Sequence, residues 1–409
     1  IFNSPIPNCG FLLYNQVMKI GIYGGTFDPV HNGHIFVANM VKERLGLDRV
    51  IFVVSSDPPH KHINGLSPAP LRLNMLSEAI LDYGLTAADI EIRRGGVSYT
   101  VDTLTELKNQ FPDDDLFFIV GADMLADFHS WYHPKEILGL AALAAIGRDG
   151  HELNNRYELE EIAQSIRDEF GGSVILLNES GPDISSTGVR KRIKDAQSVS
   201  DSVPLCVEMY SYIHRLYFDD ELTAICKKLE KTLKRSRYEH TMLVGMEAVR
   251  LAGIYGYDTK KARLAGILHD CAKFSENELI SLAERRNIEL SEAELAYPYL
   301  LHSRLGAIIA ESDYGIDDEE ILNAIRRHTL GCVNMTLLDK IIYLADKIEP
   351  SRGYEFASTV RNTVYPSIDD AVIAIMEHTV DYTVSCGRNV HPETYKILNS
   401  LKENTKSKG

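Results

Sequence analysis

What most constrains the fold of this chain is a change of rhythm partway along it. From Met18 to about Tyr217, apolar runs of strand length alternate with stretches of helical periodicity: Val50–Val54, Leu116–Val120 and Val174–Leu177 read as buried strands, and Ile35–Leu45, Leu71–Leu81 and Val101–Phe111 as helices. That alternation predicts a parallel α/β sheet. Beyond Tyr217 the strand signal vanishes. Segments such as Leu222–Leu233, Thr241–Ile254, Thr259–Lys273, Ser303–Ser312, Glu319–His328, Met335–Ile348 and Ile368–Cys386 all carry apolar residues three to four apart, which predicts an all-helical region. With 409 residues the chain exceeds what one hydrophobic core supports. The expected organisation is an N-terminal extension over 1–17, a sheet domain over 18–217 starting at Met18, and a helical domain over 218–409.

Composition narrows the function. The formal net charge is −15 and both halves are acidic, which disfavours a nonspecific nucleic-acid groove. Small anionic substrates stay compatible, because helix N-termini and a few cationic side chains can hold phosphate inside an acidic envelope. The 6 cysteines form no CxxC pair and suit a reducing compartment. No apolar run approaches the roughly 20 residues that span a bilayer, and the start lacks a signal-peptide pattern, so the expectation is a cytoplasmic protein without a membrane partner. Association of copies into a homo-oligomer is left open.

The run Gly24-Gly25-Thr26-Phe27-Asp28-Pro29-Val30-His31-Asn32-Gly33-His34 follows the first strand and opens the first helix. In a parallel sheet that is where ligands bind. Glycines there let backbone approach a phosphate chain, and the helix N-terminus favours negative charge. His31 and His34, three apart, can face one ligand. Ser186 or Thr187 suits the cap of a helix through Arg190, which adds a charge-assisted donor.

This run resembles the HxGH signature of the nucleotidyltransferase superfamily, and in detail the nicotinate-mononucleotide adenylyltransferases. Pro58-Pro59-His60-Lys61, Arg72 with Met75, Ser98-Tyr99-Thr100, Gly121-Ala122-Asp123-Met124, Trp131 and Ile184-Ser185-Ser186-Thr187-Gly188-Val189-Arg190 extend the likeness over about 18–217. The resemblance implies a Rossmann-like domain that transfers AMP from ATP to nicotinate mononucleotide with Mg²⁺. His31, His34 and Arg190 would be catalytic. Gly24, Gly25, Thr26, Asp123, Ser186 and Thr187 would join them in binding ATP, and Lys61, Arg72, Tyr99, Thr100 and Trp131 would hold the pyridine nucleotide. Taken alone, Trp131 also suits a core position, Tyr99 a sheet neighbour, Lys61 a solvated surface and Asp123 a helix cap.

The helical half holds His240, His269-Asp270, His302, His328 and Asp346, each in or at the end of an expected helix. A bundle can converge such residues, and imidazole with carboxylate suits iron, manganese or zinc. Charged residues directly after the apolar run Leu264–Leu268 are costly unless satisfied. The pattern resembles the HD phosphohydrolase superfamily, and the segments around His240, Asp270, His328 and Asp346 are similar to the YqeK family over about 222–400. That resemblance implies one or two divalent metals, iron foremost, on those ligands. It also implies symmetrical hydrolysis of diadenosine tetraphosphate to two ADP, with Lys273 assisting catalysis. Lys273 equally suits a helix C-terminus, and Arg352 either a phosphate or the surface. Rival readings are a different acceptor for the first half, and for the second another nucleotide phosphohydrolase or a nucleotide sensor that controls the transferase.

Overall fold

The computed structural model describes residues 17–56, 65–148, 156–363 and 367–406. By packing, the chain divides into two compact units, Ile1–Ser186 and Thr187–Gly409. This boundary lies upstream of the composition switch near Tyr217. The reason is visible at Arg263, whose buried guanidinium donates to the carbonyls of Ile193 and Lys194 at 2.7 and 3.3 Å, tying that segment to the helical unit.

The first unit is built on a six-stranded sheet, with β1 (Lys19–Gly25), β2 (Arg49–Val54), β3 (Thr86–Ala88), β4 (Asp115–Gly121), β5 (Ala142–Arg148) and β6 (Val174–Gly181) in the order β3-β2-β1-β4-β5-β6. All pairings are parallel, and Ile22 of β1 lies opposite both Ile51 and Phe118. Central parallel strands are covered on both faces, which is why β2 and β4 read as continuous apolar runs; the third such run, Val174–Leu177, begins the edge strand β6, where only Val174 of the four is buried. β3 and β5 gave no such signal: one has three residues, and the other, Ala-Leu-Ala-Ala-Ile-Gly-Arg, is rich in alanine, a poor strand former. The strand order reverses between β1 and β4, so the carboxyl ends of these two strands flank the crevice where such sheets bind ligands.

The second unit is helical, around a core that includes Leu229, Met242, Ile267, Leu305, Ile325 and Ile341. Its central helix, Arg235–Tyr255, lies against Thr259–Leu268 through a glycine crossing. A Cβ on Gly266 would stand 2.9 Å from the Gly245 Cα, so only glycine permits this approach. The approach brings His240 on one helix to within ring contact, 5.3 Å between centroids, of His269 at the end of the other. The expected helix Thr259–Lys273 ends at Leu268; Asp270 and Lys273 occupy the turn after it, where the Lys273 amide donates to the Asp270 carbonyl at 2.9 Å. Among the described residues no helix is long and apolar enough to cross a membrane.

Candidate active sites

In the sheet unit, β1 delivers Gly24 and Gly25 to a loop that runs into the helix Asn32–Leu45. His31 is the residue before that helix, and its amide donates to His34 Nδ1 at 3.2 Å. An accepting Nδ1 leaves the neutral His34 ring with its proton on Nε2. The rings of His31 and His34 stack with centroids 3.6 Å apart, and Phe27 and Tyr23 pack edge-on against His34. His31 is buried and His34 half-buried. Gly33 makes the stack possible, since a Cβ there would stand 3.0 Å from His31 Nδ1. The sequence-predicted pair is therefore one rigid unit at a helix N-terminus, beside backbone that can approach a phosphate.

The neighbouring residues sort differently. Ser186 Oγ donates to the Pro29 carbonyl at 2.9 Å, joining the second signature to the first loop. Arg190 Nη2 donates to Thr187 Oγ1 at 3.1 Å. Asp123 is exposed one residue into the short helix that follows β4, and its Oδ1 accepts from the Met124 amide. Thr100 begins the helix Thr100–Gln110, Tyr99 precedes it, and the Tyr99 ring lies 4.6 Å from that of Tyr132. Trp131 belongs to the core, packed on Phe118 and Phe128 at 6.0 and 5.2 Å.

Arg72, expected to hold the pyridine nucleotide, is placed against the first loop. It is buried, and its guanidinium donates to the carbonyls of Ser67, Thr26 and Ser55 at 2.8, 2.6 and 2.8 Å. Those bonds brace the Gly25–Thr26 turn. Lys61 lies outside the described residues.

In the helical unit the expected ligands come together. His240 Nε2 stands 3.1 Å from Asp346 Oδ1, and His269 Nε2 lies 3.7 Å from the same oxygen and 3.5 Å from Asp270 Oδ2. Around Asp270 Oδ1, His302 Nε2 and His328 Nε2 stand at 3.3 and 3.4 Å. All of these residues are buried. Their ligand atoms form two overlapping groups that could each hold a metal ion: His240, His269 and Asp346, then His269, Asp270 and His328.

The outer contacts fix the imidazoles. His269, His302 and His328 each donate Nδ1–H to the carbonyl three residues earlier, at 2.7, 2.5 and 2.8 Å, which leaves Nε2 basic and aimed at the centre. His240 Nδ1 instead pairs with Glu349 Oε1 at 3.0 Å. This carboxylate–imidazole contact is the usual support of a metal-bound histidine.

The charged partners act in both directions: burial lowers His240, but Asp346 and Glu349 outweigh it and raise its pKa above the ordinary imidazole value. Burial pushes the Asp270 carboxyl up, but His269 and His328 outweigh it and hold it well below the usual carboxylate range. For Asp346, burial is overcome by Lys347, His240, His269 and Arg352, again holding it well below that range. Burial lowers His269, and burial with the neighbouring His328 lowers His302 to about 3, so both stay neutral as ligands must. His269 Nε2 and Asp270 Oδ1 are buried without a hydrogen-bond partner. Orphaned polar atoms at such depth are costly, and a divalent cation satisfies both.

Comparison with known proteins agrees with this geometry. A family model described as cytidylyltransferase-like matches residues 22–192, and one described as HD domain matches residues 237–351. The "Probable nicotinate-nucleotide adenylyltransferase" of Dehalococcoides mccartyi is 42% identical over 202 residues, 49% of this chain and 97% of that protein. That of Thermus thermophilus is 42% identical over 201 residues, covering 49% of this chain and 100% of that protein. Through its N-terminal half, the chain belongs to the nicotinate-nucleotide adenylyltransferase family. This family member carries in addition a C-terminal HD domain. The crystal structure of a "predicted HD superfamily hydrolase involved in NAD metabolism" from Clostridium acetobutylicum is 38% identical, covering 45% of this chain and 97% of that one, with a TM-score of 0.42.

Sequence reasoning missed Glu349 and Arg237 as parts of the centre. The signals were local and readable only beside an assigned ligand: Glu349 falls one helical turn after Asp346, and Arg237 one turn before His240, on the same helix faces.

Proposed function

We propose that the sheet domain of this nicotinate-nucleotide adenylyltransferase family member joins ATP and nicotinate mononucleotide, and that its HD domain hydrolyses diadenosine tetraphosphate to two ADP. In the first reaction a phosphate oxygen of the mononucleotide attacks the α-phosphorus of ATP. The bond to the β-phosphate oxygen breaks, pyrophosphate leaves, and nicotinate adenine dinucleotide forms. The observation that carries this reading is the stacked His31–His34 pair at the mouth of β1, where His34 Nε2–H is a donor for phosphate oxygens. Gly24, Gly25 and Thr26 supply close backbone, and Ser186, Thr187 and Arg190 further donors. Asp123 suits the ribose, and Tyr99, Thr100 and Trp131 the pyridine. Transfers of this kind rest on positioning and charge neutralisation, so no covalent nucleophile on the protein is needed. Mg²⁺ bound with ATP would supply further charge neutralisation at the leaving pyrophosphate.

For the HD domain, the carrying observation is the pair of orphaned buried atoms, His269 Nε2 and Asp270 Oδ1, inside a converged ligand set. His240, His269, Asp270, His302, His328 and Asp346 would hold one or two divalent ions, and mixed imidazole and carboxylate donors suit iron, manganese or zinc. Bound there, the metal supplies Lewis acidity toward a phosphoanhydride. Around it, Glu349 orients His240. Lys273 Nζ, 2.9 Å from His302 Nε2 and depressed by burial below the usual lysine range, stands ready to neutralise phosphate. One water is consumed as the central phosphoanhydride breaks.

One experiment tests both halves. The whole chain is incubated with ATP and each pyridine mononucleotide, then with diadenosine tetraphosphate, and products are identified by mass. Nicotinate adenine dinucleotide and ADP are expected. Stoichiometric metal without turnover of the dinucleotide would make the HD domain a sensor.

A further inference from the structure

The buried carboxylates of the HD centre are each met from the rim by an arginine. Arg237 Nη1 lies 2.8 Å from Asp270 Oδ2, and Arg352 Nη2 lies 2.7 Å from Asp346 Oδ1, and each arginine side chain is 33% exposed. Both border one imidazole: Arg352 Nη2 is 3.5 Å from His240 Nε2, and Arg237 precedes His240 by one helical turn. Their anchorage differs. Arg352 Nε also donates to the Asp346 carbonyl at 2.9 Å, whereas the Arg237 side chain is held, among the described residues, through Asp270 alone.

The charge of the centre states what kind of ligand these arginines would meet. Asp270 is paired with Arg237 at 2.8 Å and approached by Lys273 at 3.9 Å, Asp346 is paired with Lys347 and Arg352 at 2.5 and 2.7 Å, and Glu349 lies 3.7 Å from Arg352. The carboxylates are thus already balanced by side chains. Every divalent ion bound there adds uncompensated positive charge, and two of them ask for an anion carrying more than the roughly two charges of one phosphoryl group. A guanidinium fork fits phosphate as well as it fits carboxylate.

We propose that Arg237 and Arg352 are the two jaws of a polyphosphate clamp, one at the Asp270 end of the centre and one at the Asp346 end. The ligand class is a chain of phosphates long enough to touch both. Arg352, pinned through Nε, is the fixed jaw; Arg237, held at one point, exchanges its carboxylate for phosphate. This rests on the reading of the HD centre as a metal-dependent phosphohydrolase.

The test uses the whole chain and measures binding of manganese(II) alone, then of inorganic tripolyphosphate and orthophosphate to the manganese-loaded protein. Arg237→Gln and Arg352→Gln should each weaken tripolyphosphate by about tenfold or more, the loss expected for a charge-assisted bond. Manganese affinity should hold or rise, since a competing cation has been removed from each carboxylate. Orthophosphate, a single phosphoryl group, should lose less than tripolyphosphate in each variant. Arg237→Lys, which keeps the charge without the fork, should fall between wild type and Arg237→Gln. Unchanged tripolyphosphate binding would overturn the clamp while leaving the metal centre standing. A fall in manganese affinity in step with tripolyphosphate would overturn it too, by making Arg237 a mere support of Asp270. Failure of the unaltered chain to bind manganese or any other divalent ion would overturn the phosphohydrolase reading, and the clamp with it.

Discussion

The two candidate centres of this chain are opposite constructions. The sheet unit uses one contiguous loop, Gly24–His34, in which backbone and two stacked imidazoles sit at a strand end and a helix start. The HD centre gathers single side chains from separate helices into a buried cluster whose charges balance one another. A loop site of the first kind loses a donor when altered and keeps its frame. A buried ionic site of the second kind is a network, so removing one member strands the rest.

Asp270→Ala draws that contrast most sharply. Asp270 is the carboxylate shared by His269, His302 and His328, so its loss should abolish metal binding and hydrolysis together while adenylyl transfer continues. Metal content by elemental analysis, alongside both activities, checks this. Retained stoichiometric metal would remove Asp270 from the ligand set. Next in size is His34→Ala, which deletes one donor from a preorganised phosphate site and should cost about a hundredfold or more in adenylyl transfer. Its HD metal content and hydrolysis should match the unaltered chain. Equal loss of both activities in a folded variant would break the separation of the two centres.

The contrast also explains what was legible. The loop site could be read residue by residue because its geometry is local: the motif is contiguous, and strand and helix periodicities on either side place it. The residues that converge in the HD centre were legible because His and Asp in or beside apolar helices are conspicuous. Side chains that act across the fold were not. The Arg72 guanidinium spans three carbonyls brought together from Thr26, Ser55 and Ser67, an arrangement no spacing announces. Glu349 and Arg237 follow the same rule, since their meaning comes from His240 and Asp270, which distant segments of the chain supply. β5 escaped because a buried central position makes an alanine-rich segment a strand despite weak local preference. The packing boundary at Ser186 was hidden because Arg263 reaches Ile193 from far along the chain.

Glu349 sharpens the comparison at a finer level, because it stands behind His240 Nδ1 and is itself held by the Ser351 amide and hydroxyl. Glu349→Gln keeps the shape but removes the charge that supports the imidazole. A fall in metal affinity of about 10–100-fold is expected, the usual cost of such an outer partner. Titration with a metal-buffered chelator reads it, and an unchanged affinity would reduce Glu349 to a packing group.

The smallest effect concerns a carboxyl that belongs to neither centre. Glu208 is buried in the helical unit, accepts a long 3.4 Å bond from the Val199 amide, and faces Glu247, which Arg250 already pairs. Burial first, with Glu247 adding repulsion, raises its pKa to about 7. The folded state therefore holds the proton more tightly than the unfolded chain does. Its stabilising contribution is complete below the ordinary glutamate range near pH 4.5 and is lost as pH rises through about 7. Each unit of such a shift corresponds to about 1.4 kcal/mol, so the loss is a few kcal/mol at most. Glu208→Gln, which stays neutral at every pH, should flatten the decline in melting temperature between about pH 5 and 8 by a few degrees. Adenylyl transfer and metal content should not change. Glu208 is the buried carboxyl raised into the neutral range, whereas Asp270 and Asp346 are held well below the usual carboxylate range. A decline as steep in Glu208→Gln as in the unaltered chain would assign it instead to the network around Asp270 and Asp346.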